Sequence, residues 1–361
     1  MDSSVIVHKS KVVGDWLFEG PLPIPGLCTM VVDYARGLTG KCVKTFGVHS
    51  SWTVNNMMVL PDGLLASTSL SRIHIWREST GECLHMLTAH TDFVRCLALL
   101  PDGRLVSGSS DRTLRVWNTL EGRCIKTLAG HVDTIWAIAL PPRGRIASAS
   151  LDSTVRVWDV ESGMSLMTLV GHSWYVVCLA VLSDDRLASG SWDTSVRIWD
   201  LISGACMLVL AGHTRAVKIL CVLPENKFAS GSADFSVRVW DHAGVCLQIL
   251  TGQTSIMPAM VSLPGGKLAT CAIDATVRVW DVAQGLCLLT LHGHTGWVSA
   301  MVELYDGTLA SASDDKTVRV WDLDTGQCLH VLSKHIHALA TLAALPGGRL
   351  ASGSHRVCVW E

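Results

Sequence analysis

Eight tryptophans recur along this chain at an almost constant interval: Trp76, Trp117, Trp158, Trp199, Trp240, Trp280, Trp321 and Trp360. Their separations are 41, 41, 41, 41, 40, 41 and 39 residues. A period this regular overrides the two or three domains that 361 residues would otherwise suggest, because stacked repeats fold as one unit. Most of these tryptophans close a segment of one form, as in Arg115-Val116-Trp117-Asn118, Arg156-Val157-Trp158-Asp159 and Arg319-Val320-Trp321-Asp322.

The unit reads as four short strands. In the third repeat, residues 133–140 form the first strand and Pro141-Pro142-Arg143-Gly144 its turn. Residues 145–150 form the second, a tight turn surrounds Asp152, and Val155 to Trp158 make the third. A turn through Glu161-Ser162-Gly163 leads to an outer strand at Ser165–Val170. Runs of Val, Ile and Leu separated by Gly, Pro, Asp and Ser carry the expected chemistry of strands and turns.

With Gly-His near its start and Trp-Asp near its end, this unit resembles the WD-repeat (WD40) family over residues 41–361, nearly nine-tenths of the chain. The resemblance implies an all-β propeller, and the period gives eight blades. The chain stops at Trp360-Glu361, directly after a third strand. Upstream, Gly40-Lys41-Cys42-Val43-Lys44-Thr45-Phe46 matches the outer-strand sequence Gly122-Arg123-Cys124-Ile125-Lys126-Thr127-Leu128. Residues 41–46 are therefore expected to complete the last blade, giving an eight-bladed WD40 β-propeller closed by an N-terminal outer strand. The expected division is an extension at 1–40 and a single propeller at 41–361. Pro21, Pro23 and Pro25 argue against a long helix in the extension, and Met30-Val31-Val32-Asp33 echoes a degenerate third strand. Its expected role is a cap over one end of the ring, with a disordered tail or a docking segment as alternatives.

A His before the first strand, a Ser in the second, an Asp at the tight turn and the Trp of the third resemble the family's structural tetrad. Complete sets are His90/Ser107/Asp111/Trp117, His131/Ser148/Asp152/Trp158, His172/Ser189/Asp193/Trp199, His213/Ser230/Asp234/Trp240 and His294/Ser311/Asp315/Trp321. Five copies favour a structural network over a catalytic triad, since an enzyme needs one site. Three repeats depart from the pattern. Gln253 replaces His in the sixth, while the first (Ser69-Leu70-Ser71-Arg72) and the last (Ser352-Gly353-Ser354-His355-Arg356) lack the Asp. The two weak sets would meet at the seam of the ring.

A net charge of −2 and a pI near 6.7 give no basic field for nucleic acid. No apolar run reaches the roughly 18–20 residues of a membrane span. The N-terminal Met1-Asp2-Ser3-Ser4 lacks a signal-peptide layout. A cytoplasmic protein is expected, with the nucleus open. Of the 13 cysteines, Cys42, Cys83, Cys124, Cys206, Cys246, Cys287 and Cys328 occupy one slot of successive repeats. This placement suits small buried hydrophobes in a reducing compartment better than disulfides or zinc ligands.

No phosphate loop, His-Glu-x-x-His or Gly-x-Ser-x-Gly is present, so no enzyme activity, cofactor or metal is expected. The pair His335 and His337 is read with His335 as the tetrad member. The Arg two places before most of the repeat tryptophans (Arg115, Arg156, Arg197, Arg238, Arg278, Arg319) recurs too regularly to mark a site.

Function should lie where the repeats differ. In the family the His-bearing loops and Asp-bearing turns emerge on one face, which usually binds partners. Trp52, Phe93, Trp136, Trp174, Tyr175, Trp192 and Trp297 appear there irregularly, and Arg95, Arg215 and Lys218 add positive charge. Trp and Tyr are enriched among binding hot spots, so these residues form the expected protein-binding surface. The leading expectation is a non-catalytic scaffold that binds a peptide or protein segment. The alternative is a ubiquitin-ligase substrate receptor that recognises an acidic or phosphorylated motif. His90-Thr91-Asp92-Phe93-Val94-Arg95-Cys96 resembles repeats of F-box receptors, and Arg95 matches the position of an arginine that binds phosphorylated peptides in them. Against that alternative, Ser110 stands where one such receptor repeat has a further arginine, no F-box fits in residues 1–40, and no repeat ends Trp-Asp-x-Arg. Partner identity, pathway and assembly into a larger complex stay open.

Overall fold

A computed structural model describes residues 6–8, 17–19, 38–46, 53–182 and 185–361. Eight four-stranded antiparallel sheets follow one another as meanders. The first blade comprises Asn56–Leu60, Leu64–Ser69, Arg72–Arg77 and Glu82–Leu87, in order from inner to outer strand. Blades two to seven span residues 94–129, 135–170, 176–210, 217–250, 259–291 and 298–332. Each inner strand lies beside those of the neighbouring blades, and the eighth returns to the first, which closes the ring. The third blade's strands, Ile135–Ala139, Arg145–Ser150, Thr154–Asp159 and Ser165–Val170, fall where the sequence places them.

The seam is closed by the strand expected from the sequence. Thr341–Leu345, Arg349–Gly353 and Val357–Trp360 supply three strands of the eighth blade, and Cys42–Phe46 pairs antiparallel with the last. Reciprocal backbone bonds between Lys41 and Glu361 (3.0 and 2.9 Å) extend this ladder to the chain end. The closing strand is thus a blade's edge, and its removal would expose the backbone of Val357–Trp360.

Burial grades from the middle of each blade outward. In the third blade every residue of Arg145–Ser150 is buried, and its Ala and Ser side chains let the neighbouring sheets approach closely. The outer strands alternate, as Cys206–Leu210 shows by exposing Met207 and Val209 and burying Leu210. Between the sheets lie the indoles of Trp117, Trp158, Trp199 and Trp321, each at most 2% exposed. Polar side chains then tie each blade to the next. Arg145 donates to the Leu201 carbonyl (2.9 Å), Arg186 to that of His242 (3.1 Å), and Lys126 to that of Val160 (3.2 Å). The seam is tied in the same way, since Arg349 pairs with Glu78 and Lys44 donates to the Glu78 carbonyl.

One expectation is corrected. The recurring cysteines are half-buried, and Cys83 and Cys287 are exposed, so they are not core hydrophobes. They sit where the outer strand carries a β-bulge, marked by the register step between Val116 and Trp117 opposite Cys124. The bulge turns the thiol toward its own backbone, and Cys124 donates to the Lys126 carbonyl. The repeated arginine explains the slot, because Arg197 and Arg319 direct Nη1 onto Cys206 and Cys328 at 3.5 Å. It also explains the Gly of Gly-His, since a Cβ on Gly212 would stand 2.8 Å from Nη1 of Arg238. Among the described residues all cysteines are free thiols.

Deleting residues 41–46 should lower the melting temperature and convert the monomer into higher oligomers. Size-exclusion chromatography with thermal unfolding measures both, and an unchanged monomeric profile would contradict the closure.

Candidate partner-binding face

The polar tetrads form as the sequence implies. In the fourth blade His172 Nδ1 lies 2.7 Å from Asp193, His172 Nε2 lies 2.8 Å from Ser189 Oγ, and Trp199 Nε1 donates to the same oxygen at 2.7 Å. The sets of the second, third, fifth and seventh blades repeat this within a few tenths of an ångström. Each Asp carboxylate also takes the N–H after the His and the N–H and hydroxyl two residues beyond itself, as Asp193 does with Ser173 and Ser195. Burial opposes ionisation of Asp193, yet the hydrogen bonds from His172 and Ser195 hold its carboxyl well below the usual range. The serine of every complete set is fully buried and bonded to both the His and the Trp of its set.

The tight turns place Arg112, Ser153, Thr194, Phe235, Ala275 and Lys316 at φ between 67° and 74°. Left-handed backbone costs a non-glycine residue about 1 kcal/mol, which the bonds of the preceding Asp offset.

The atypical repeats find substitutes. In the sixth blade Gln253 and Trp280 both donate to Thr270 Oγ1, and Arg278 joins Gln253 Oε1 to Thr276. In the eighth, His335 lies 2.8 Å from Ser354 Oγ and 2.7 Å from Ser352 Oγ, and Trp360 donates to Ser352. Ser354 thus stands in for the missing Asp, a replacement hidden by the two-residue deletion in that turn. Of the first repeat, the bond from Trp76 to Ser67 is described.

These networks generate two predictions. Asp193→Ala should destabilise the protein by about 1–3 kcal/mol in urea unfolding, because it leaves the His172 N–H buried without an acceptor. Stability should also fall on acidification. Burial lowers His335 from 6.5 to about 4, and it lowers His213 and His294 as well. The unfolded state therefore binds protons first, and stability that is full above pH 6.5 is lost as pH drops toward 4. A urea midpoint that stays flat over that window would contradict this.

A second bulge lies on the inner strand. Register steps at Val94/Cys96, Ile135/Ala137, Val176/Cys178, Val217/Ile219 and Val298/Ala300 leave Arg95, Trp136, Val177, Lys218 and Ser299 outside the ladder. A bulged residue is re-aimed away from its sheet, here at the tetrad end of the innermost strand. Its identity differs in each of these five blades.

The structure brings most of the expected site residues into two clusters. In one, the Arg95 guanidinium lies 5.0 Å from the Phe93 ring and 5.1 Å from that of Trp136, and its Nε donates to Ser110. In the other, Trp192 packs against Tyr175 at 5.3 Å and Trp174 at 6.1 Å, and Lys218 Nζ sits 3.6 Å above its ring. Burial draws the Lys218 amine down to about 8. Trp136, Tyr175 and Trp192 all rest on the hydrophobic core between the fourth and fifth blades. Trp174 is 52% exposed, while Trp136, Tyr175 and Trp192 are half-buried. Arg215 is exposed on the fifth blade's loop, and Trp297 belongs to the seventh, across the ring from Trp136. Trp52 lies outside the described residues.

Sequence reasoning missed Val132 and Phe235. Val132 follows the tetrad His131 and is 72% exposed; Phe235 is 38% exposed at φ 67°. A bulky ring in a left-handed turn is a poor choice for folding alone, and its only signal was an aromatic in a slot otherwise held by small or charged residues.

The model of the WD domain, G-beta repeat, matches residues 81–118, 122–159, 163–200, 204–241, 244–281 and 285–322. The crystal structure of a computationally designed protein is similar at a TM-score of 0.79 and 29% identity, covering 88% of this chain and 98% of that one. A comparison with curated proteins returned no match. Among the described residues no helix is long and apolar enough to cross a membrane, and no group of three or more His, Cys, Asp or Glu side chains could hold a metal. With six matched repeats and eight closed blades, the chain belongs to the WD40 repeat family.

Proposed function

We propose that this protein is a non-catalytic scaffold that binds a peptide or protein segment on the tetrad-bearing face of blades two to five. The observation that carries this reading is the arrangement at the inner-strand bulges. Arg95 and Lys218 are held on aromatic rings, and neither has a carboxylate within ion-pair distance among the described residues. Val132, Trp174 and Phe235 continue the same face as exposed apolar surface. A cation kept against aromatics and left without an acid leaves its charge available to a ligand. The preferred partner is therefore a protein segment with apolar anchors and acidic groups. The two unneutralised cations also favour a second reading, a ubiquitin-ligase receptor for an acidic or phosphorylated motif. We further propose that residues 1–40 cap one end of the ring. Strands Ile6–His8 and Leu17–Glu19 pair with each other and lie beside inner strands of blades six, two and three, which supports that placement. Location in the cytoplasm or nucleus follows as part of the proposal.

Trp192→Ala should weaken capture of the native partner by about 2 kcal/mol with little change in melting temperature. Arg95→Ala and Lys218→Ala should weaken it at low salt and progressively less as salt rises. Affinity purification with intact protein and each variant, followed by titration of the recovered partner, measures all three. Undiminished binding by Trp192→Ala would move the interface to another face, and recovery of ligase subunits would favour the second reading.

A further inference from the structure

The closing blade breaks a pairing that other blades keep. Blades two, four, five and seven set an arginine against the outer-strand cysteine, with Nη1 between 3.5 and 3.8 Å from Sγ. That arginine stands two places before the repeat tryptophan. In the eighth blade the same slot holds Cys358, two places before Trp360, and the outer-strand cysteine beside it is Cys42. The two strands that meet at the seam therefore each bring a thiol to one spot.

Cys42 Sγ lies 3.8 Å and Cys358 Sγ 3.9 Å from the same atom, Thr45 Oγ1, and the two thiols are in hydrogen-bonding contact with each other. Thr45 pairs with Cys358 across the ladder, and the register step between Cys42 and Lys44 is the outer-strand bulge seen in the other blades. Both cysteines belong to one apolar cluster with Leu332, Leu350 and Trp360. Cys358 is 2% exposed and Cys42 is half-buried, so dissolved reagents meet Cys42 first. Burial and the adjoining Cys42 push the Cys358 thiol up to about 12, which gives the same order of reaction. Packing alone does not call for a second thiol, since an arginine fills this slot in six other blades.

We propose that Cys42 and Cys358 form a redox latch, a reversible disulfide that joins the closing strand to the last strand and locks the ring. The oxidant is a low-molecular-weight disulfide. Cys42 Sγ attacks one of its sulfurs, so a mixed disulfide forms and one thiolate leaves. Cys358 Sγ then attacks the Cys42 sulfur, which makes the protein disulfide and releases the second thiolate. The protein gives up two electrons and two protons, and the small disulfide takes them up as two thiols. In a reducing compartment the pair stays as two thiols, and an oxidising challenge converts it. The cross-link spans nearly the whole propeller, so it restricts the unfolded chain strongly. This site is independent of the partner-binding face.

The test incubates the full-length protein with oxidised glutathione, caps the remaining thiols with N-ethylmaleimide and maps the disulfides by peptide mass spectrometry. A link between Cys42 and Cys358 should form ahead of any other and be reversed by dithiothreitol. It should raise the melting temperature by about 5 °C. Cys42→Ser and Cys358→Arg should each abolish the link and the temperature shift, the second by restoring the residue that other blades carry. Cys83→Ser should leave both unchanged. Mapping the unsubstituted chain needs no variant to fold. A glutathione adduct on Cys42 that never resolves into the link, or an equal temperature shift in Cys358→Arg, overturns the proposal.

Discussion

The hydrogen-bonded chain from Asp through His and Ser to Trp is the interaction on which the ring depends. It joins the loop before a blade's first strand, the second strand, the tight turn and the third strand at one buried point. Its polarity is set by a count of protons. The indole N–H of Trp240 donates to Ser230 Oγ, the Ser230 proton goes to His213 Nε2, and His213 Nδ1–H goes to Asp234. The chain ends on a carboxylate that burial opposes and hydrogen bonds from Ser236, Thr214 and His213 keep ionised. Removal of any member leaves a neighbour buried and unpaired, which costs more than the bond itself contributes.

Because this network fixes the top of each blade, the residue next to it is free to vary. The inner-strand bulge supplies that freedom in five of the eight blades by releasing one side chain from the ladder. The outer-strand bulge shows the same device used for structure, where Cys and Arg meet and hold a strand edge. One fold therefore carries two kinds of irregularity: a uniform one at the rim and a varied one at the channel mouth. The varied one places Arg95, Trp136 and Lys218 at partly exposed positions of the second, third and fifth blades, while Val177 of the fourth is buried.

Much of the architecture was legible because the period and the polar sets recur in register. Even the closing strand was readable, since Lys41–Phe46 repeats an outer-strand sequence whose partner could only be the blade ending at Trp360. What recurrence could not show was local substitution and direction. Ser354 replaces an acid through a shortened turn, so alignment by spacing loses it. The cysteines recur like core residues, yet a bulge turns the thiol onto its own backbone and leaves the residue partly exposed. Phe235 occupies a left-handed turn slot that is otherwise held by small or charged residues. Phe93, Trp136, Trp174, Tyr175 and Trp192 were expected on one face, but the contacts of Arg95 with Phe93 and Trp136 and of Lys218 with Trp192 depend on side-chain geometry.

The direction of the proton chain is the central claim, and nitrogen-15 NMR of the imidazole rings tests it most directly. For His213 and His294 the account predicts a protonated Nδ1 and an unprotonated Nε2 that persist below pH 6.5, with burial delaying imidazolium formation. A ring protonated at Nε2 instead, or one that becomes imidazolium at the ordinary value, would contradict it.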